Sequence, residues 1–246
     1  MNSKTEDRRL DHKRRALVAA LSSGAFVGGL GWAHPARAAW WSRKASPQAG
    51  RSVYDLQGQA TLDGRPISRD TAIPATGKVA VAPGGQLIFA VGDSAFVLRE
   101  RSVLELQGKD LLLRSLRLLS GGLMSVFGKR SADQSIRLQT STATIGIRGT
   151  GVYVESEADR SYVCNCYGSI DLSVSDLPEV QERIVSRYHD APRWVYRPGA
   201  KEGRLILPAP FQNHEDIELM TIESMMGRKV PFFVPDSGYS GPRRRY

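Results

Sequence analysis

The chain has 246 residues, 41% of them hydrophobic and 24% charged, with a formal net charge of +9. That length can bury one sizeable core, and the composition is neither that of a disordered chain nor that of a fibrous one. The charge sits at the ends: residues 1–38 hold a net +4 and Arg243-Arg244-Arg245 add +3, leaving +2 for the body, too little for a basic stripe, so nucleic acid is not expected as a partner.

Residues 1–38 read as an export signal. Lys13-Arg14-Arg15 form a basic start, Ala16 to Trp32 is uncharged and only mildly apolar, and Ala36-Arg37-Ala38 is a small-x-small cleavage site. Arg14-Arg15 before a weak apolar run resembles a twin-arginine signal, the kind that carries folded proteins across the membrane. A general secretory signal and an uncleaved anchor are the alternatives. Cleavage after Ala38 predicts a periplasmic chain with no membrane span, starting with a linker over residues 39–51.

From residue 52 to about 175 short strand-like runs alternate with turns. Asp63-Gly64 between ATL and RPI is a type I′ hairpin signal, and Pro83-Gly84-Gly85 separates VAVA from QLIFAV. AFVLRE, VLEL, LLLRSLRLL, LMSVF, SIRLQT, ATIGI, VYVES, SYVCNC and IDLSV follow, each bounded by Gly, Asp or Ser. Leu111 to Leu119 also fits helical spacing; the Gly121-Gly122 pair that follows favours a strand ending there. Residues 178–188 fit a short helix or an extended arm. The stretch 213–227 reads as a helix over 214–226, with Asn213 as N-cap and Asp216 completing the cap. Its expected apolar face is Ile217, Met220, Ile222 and Met226, and Gly227 is the expected stop. Residues 176–236 thus form a C-terminal arm, and 237–246 a basic tail.

The run SIRLQTSTATIGIRGTGVYVES, followed by SYVCNCYGSIDLSV, resembles the core of FecR-type domains, with the motif turn at Arg148-Gly149-Thr150 and a later turn at Gly168. Glycine at 149 permits a positive φ, and Arg148 is expected to bond the turn carbonyls. The resemblance covers roughly residues 72–174. It implies an all-β fold, solenoid-like or a rolled sheet of many short strands. It also implies a role like that of periplasmic sensors that relay outer-membrane transporter occupancy to a sigma factor. No cytoplasmic helical domain that would hold a sigma factor is readable here. The chain looks like the stand-alone exported subgroup, in which CxCYG, YHDAPR and NHxDxEL segments recur together.

Two of the four histidines lie within the signal, so the exported chain keeps Cys164, Cys166, His189 and His214 as its thiols and imidazoles. In a strand, residues i and i+2 share a face, so both sulfurs can reach one point. Two sulfurs and two nitrogens suit tetrahedral zinc, with Asp190 and Asp216 placed to orient the imidazoles. A Cys164–Cys166 disulfide needs a bulge at Asn165, because alternate Cα atoms of a strand lie about 6.5–7 Å apart. Inert buried thiols are the third state. A thiol enzyme would use Cys164 or Cys166 as nucleophile, His189 as base and Asp190 as orienter. The reading that joins these features is a non-enzymatic binding, signalling or scaffolding module of the envelope. It has an unidentified envelope protein or ligand as partner, and a Cys2His2 site that clasps the arm onto the β-domain.

Overall fold

A computed structural model describes residues 52–129 and 135–232. The stretches expected to be an export signal, a linker and a basic tail lie outside the described residues. Within them the protein is all-β with one helix. The strands are β1 (Val53–Gln57), β2 (Ala60–Leu62), β3 (Arg65–Pro66), β4 (Gly77–Val81), β5 (Gln86–Val91), β6 (Ser94–Leu98) and β7 (Val103–Lys109). They continue with β8 (Leu112–Val126), β9 (Ile136–Gln139), β10 (Ala143–Ile147), β11 (Gly151–Ser156) and β12 (Arg160–Val174). Last come β13 (Leu177–Ser186), β14 (Arg193–Tyr196), β15 (Ile206–Pro208) and the helix α1 (Asp216–Met225). No helix among the described residues is long and apolar enough to cross a membrane.

The strands form two sheets that share two long members. The first sheet runs β1-β5-β6-β8-β11-β12-β14-β15, and the second runs β3-β2-β4-β7-β8-β9-β10-β12-β13. All pairs are antiparallel except β8 with β9. β8 pairs with β7 up to Ser120, then leaves for β6 and β11. β12 pairs with β11 up to Tyr167, then with β10 and β13 from Gly168 onward. The crossings fall at Gly121 (φ +80) and Gly168 (φ +93), backbone states that an L side chain rarely adopts. These glycines were expected to end strands; instead each bends a single strand from one sheet into the other.

The shared strands roll the sheets around one core that includes Leu87, Phe89, Phe96, Leu98, Leu116, Leu118, Ile145, Val163 and Leu172. Alternate residues of the first sheet point away from that core into a second apolar layer: Ile88, Val97, Met124, Tyr153, Tyr162, Cys164 and Cys166, closed by Leu219, Ile222 and Met225 of α1. The central strands of the first sheet are therefore buried on both faces, and every residue of β6 is buried. Each large aliphatic side chain so buried contributes about 1.5–3 kcal/mol.

The turn chemistry of the sequence is realised at Asp63-Gly64, where both residues have positive φ as a type I′ hairpin requires. Pro83-Gly84-Gly85 does turn the chain, but β4 and β5 do not pair; the turn passes the chain from one sheet to the other. Of residues 178–188, those up to Ser186 are extended, in β13, and the chain bends from Arg187 onward. The helix begins later than expected. Asn213 has φ +62, outside the extended range of a cap, and Glu215 caps instead, exchanging bonds with Glu218. The buried face is Asp216, Leu219, Ile222, Glu223 and Met225, whereas Ile217 is exposed and Met220 and Met226 are half-buried.

Candidate metal centre

The cysteines owe their placement to the asparagine between them. On β12 both side chains point into the layer under α1, while Asn165 points the opposite way. Its amide donates to the carbonyls of Gly168 (3.0 Å) and Ile184 (3.1 Å), and its oxygen accepts from Thr150 Oγ1 at 2.8 Å. Thr150 also bonds the Tyr167 carbonyl. The Arg148-Gly149-Thr150 motif thus braces the bend at Gly168, immediately after the cysteines. Arg148 does not bond the turn carbonyls; it reaches Asp171 at 3.1 Å, because at Gly149 (φ +82) the chain turns back towards β12.

His189 and His214 arrive from the C-terminal region. His189 follows β13 in a loop, at φ +48, and its N–H donates to the Cys166 carbonyl at 2.9 Å. His214 precedes α1; its segment is pinned by the Tyr162 hydroxyl, which donates to the Pro210 carbonyl (3.1 Å) and accepts from the Gln212 N–H (3.3 Å). The four residues are buried, His189 most exposed at 8%, and one donor atom from each lies within 4.8 Å of the others.

Two of the spacings match the edges of a tetrahedral donor set. Cys164 Sγ is 3.5 Å from His189 Nδ1, and His189 Nδ1 is 3.3 Å from His214 Nε2. Zinc–sulfur and zinc–nitrogen bonds of about 2.3 and 2.0–2.1 Å give tetrahedral edges of about 3.5–3.6 Å between S and N, and about 3.3–3.4 Å between two nitrogens. The opposite ring nitrogens are engaged elsewhere. His189 Nε2 lies 2.9 Å from Asp216 Oδ1, and Tyr188 donates to the other Asp216 oxygen at 2.6 Å. His214 Nδ1 lies 2.6 Å from the Gln212 carbonyl. These acceptors take the outward N–H of His189 Nε2 and His214 Nδ1, so with both rings neutral two lone pairs would face each other across 3.3 Å. A cation between them, or one additional proton, removes that conflict.

The protonation equilibria carry the same tension. Burial lowers the His189 pKa, but Asp216 and Cys164 outweigh it and bring it to about 8. Burial opposes ionisation of Cys164, yet hydrogen bonds with Cys166, His189 and His214 hold its thiol well below the ordinary range. Cys166 is pushed up by burial and by Cys164. Asp216 resists burial and is held low by His189 and Tyr188. The centre is thus built to hold a thiolate opposite positive charge in a dry place.

Asp190 stands apart from this. Its carboxylate accepts from the N–H of Arg187 (2.7 Å) and of Tyr188 (3.2 Å) and from Ser186 Oγ (3.3 Å), closing the turn that presents His189. Asp216 bonds an imidazole; Asp190 shapes its loop. Aromatic rings complete the shell: Tyr153 stacks on His214 at 4.4 Å, and Phe211 lies 4.2 Å from His214 and 4.5 Å from His189. Tyr188, Phe211 and Gln212 went unread in the sequence. Gln212 acts through its main-chain carbonyl, which no residue type announces.

Both cysteines are free thiols. Cys164, His189 and Asp216 also have the order of a nucleophile, base and orienting carboxylate, with Asp216 in the place expected of Asp190. Cys164 is fully buried, however, and the residues lining the 660 Å³ cleft nearby do not include it.

No family model and no curated protein matches the chain. Among solved structures it is similar to two crystal structures of a putative anti-sigma factor from Parabacteroides distasonis ATCC 8503. One, at 2.50 Å, is 15% identical with a TM-score of 0.43, over 54% of this chain and 58% of that one. The other, at 1.65 Å, is 14% identical with a TM-score of 0.44, over 61% and 74%. The chain therefore spans less than two thirds of the first. Nothing about its activity follows from a likeness at this level.

Proposed function

We propose that this chain is an exported, FecR-like binding or signalling module of the bacterial envelope, without enzymatic activity, in which zinc or a similar metal clasps the C-terminal region onto the β-domain. Cys164, Cys166, His189 and His214 would hold the ion, and Asp216 would orient His189. The observation that carries the clasp is the convergence of four buried donor atoms within 4.8 Å, with His189 Nδ1 and His214 Nε2 turned towards each other. Four protein donors leave no open position, the pattern of a structural site. Two thiolates neutralise a divalent ion, which suits its burial. Export and the FecR-like role rest on residues 1–38 and on the motif around Arg148-Gly149-Thr150. The partner is an envelope protein or ligand, and a sigma-factor relay is the alternative form of that signalling.

Native mass spectrometry of the exported protein, purified without chelator, tests the clasp. One zinc per chain is expected, lost in His214→Ala. A metal-free mass that stays metal-free after incubation with equimolar zinc would overturn it. The second reading, a thiol enzyme, is favoured by the alignment of Cys164, His189 and Asp216. It requires Cys164 of the folded, metal-free chain to react with iodoacetamide faster than a buried thiol does, and protection throughout would remove it. Replacing Arg14-Arg15 by lysines and following the chain by fractionation tests the export route.

A further inference from the structure

The cleft of 660 Å³ opens at the edge of the same layer, where Arg99, Tyr153, Glu155, Glu157 and the Gly121-Gly122 bend meet Asn213. Asn213 is the residue before His214, and its φ of +62 turns its side chain to this opening. Its amide donates to Glu155 at 2.7 Å, and Glu155 also accepts from Tyr153 at 2.7 Å. The ring of Tyr153 stacks on His214. Four residues further on, Glu218 pairs with the buried Arg99 at 2.6 Å. A single short segment, residues 212–218, therefore carries a donor of the metal centre, lines the cleft through Asn213 and, through Glu218, pairs with Arg99 of the cleft lining. Tyr153 and Glu155 share a face of β11, so the strand links the two places rigidly.

We propose that metal occupancy at the clasp sets the shape of this cleft, so that the cleft is assembled when the ion holds His214 and loosens when it leaves. The inference rests on the clasp described above. Segment 212–218 is the two-state element. Docked, it makes the His214, Asn213 and Glu218 contacts together; released, it loses all three, and the left-handed backbone at Asn213 is free to relax. Coupling of this kind is reciprocal: whatever stabilises Asn213 and Glu155 against each other raises the affinity for the ion, and weakening that contact lowers it.

Hydrogen exchange on the full chain, zinc-loaded and then chelated, reads the coupling directly. Chelation is expected to raise exchange roughly ten-fold or more in 212–218, and also around Arg99-Glu100 and in Tyr153–Glu157, with Leu116–Leu118 of the second sheet unchanged. A zinc titration of Glu155→Gln supplies the second arm, expected to bind about five-fold more weakly, against no change for Glu105→Gln on β7. Absence of bound zinc in the unaltered chain would sink the clasp itself. Zinc binding with exchange altered only at the four donor residues, and an unchanged affinity in Glu155→Gln, would leave the clasp standing and overturn the coupling. If chelation unfolds the whole chain, the titration of Glu155→Gln decides.

Discussion

Asn165 shows how one polar side chain can fix the chemistry of its neighbours. A strand alternates its faces, so the two cysteines were readable from the sequence as a pair on one side. The reason for the asparagine was not, because its partners, Gly168, Ile184 and Thr150, come from three places along the chain. Asn165→Ala would leave buried carbonyls unsatisfied at the bend and is expected to cost about 2–4 kcal/mol in urea unfolding. The two aspartates make the opposite lesson. Asp190 adjoins His189 in sequence and was expected at its ring, yet a residue beside a histidine is better placed to cap the turn that presents it. Asp216 had been named as well, and it is the one that reaches the imidazole, from the first turn of α1. Asp216→Asn should weaken zinc binding by roughly 10–100-fold, whereas Asp190→Asn should alter it far less, as competition with a chromophoric chelator would reveal.

At the level of elements, glycine was the main source of misreading. Gly121 and Gly168 look like strand terminators, since a residue free of Cβ usually punctuates a run. In both cases the ladder continues with new partners, and only long-range pairing distinguishes a bend from an end. A Cβ at Gly168 would lie 2.8 Å from that of Thr150, on a backbone with φ +93. Gly168→Ala is therefore expected to cost roughly 2 kcal/mol or more, measured by denaturant unfolding. The helix was legible in its existence and its stop at Gly227 but not in its first turn. Asn is the better cap by type; its left-handed backbone disqualifies it, and Glu215 takes the role. The apolar face was misjudged because residue type was weighed above spacing: at 100° per residue Ile217 stands far round the helix from Ile222 and Met226, and the face centred on Leu219, Ile222 and Met225 meets the sheet.

For the whole molecule, alternation and turn chemistry were enough to read an all-β chain closed by one helix. They could not show two sheets sharing strands, because that depends on pairings between residues far apart in sequence. The outcome is a body of two sheets with a third layer on top, and the candidate ion lies between the first sheet and that layer. Chelation should therefore lower the melting temperature. At an ion concentration a hundred times the dissociation constant the stabilisation is about 2.7 kcal/mol, or roughly 5–10 °C for a domain of this size. Acid should act in the same direction: thiols and imidazoles must shed protons to bind the ion, so affinity falls as pH falls, and zinc should be released on titration from pH 7 towards pH 5, followed with a zinc-sensitive dye.

The shared strands have a mechanical consequence. Because β8 and β12 run unbroken from one sheet into the other, a pull on either sheet is carried to its neighbour through covalent backbone rather than through side-chain contact. The two sheets cannot swing like leaves on a hinge, and displacement of one drags the other as a block. The layer of α1 is attached differently, by packing and polar contacts, with no strand in common. Force or partner binding applied to this protein would meet its compliance there, at the seam where the four donors sit.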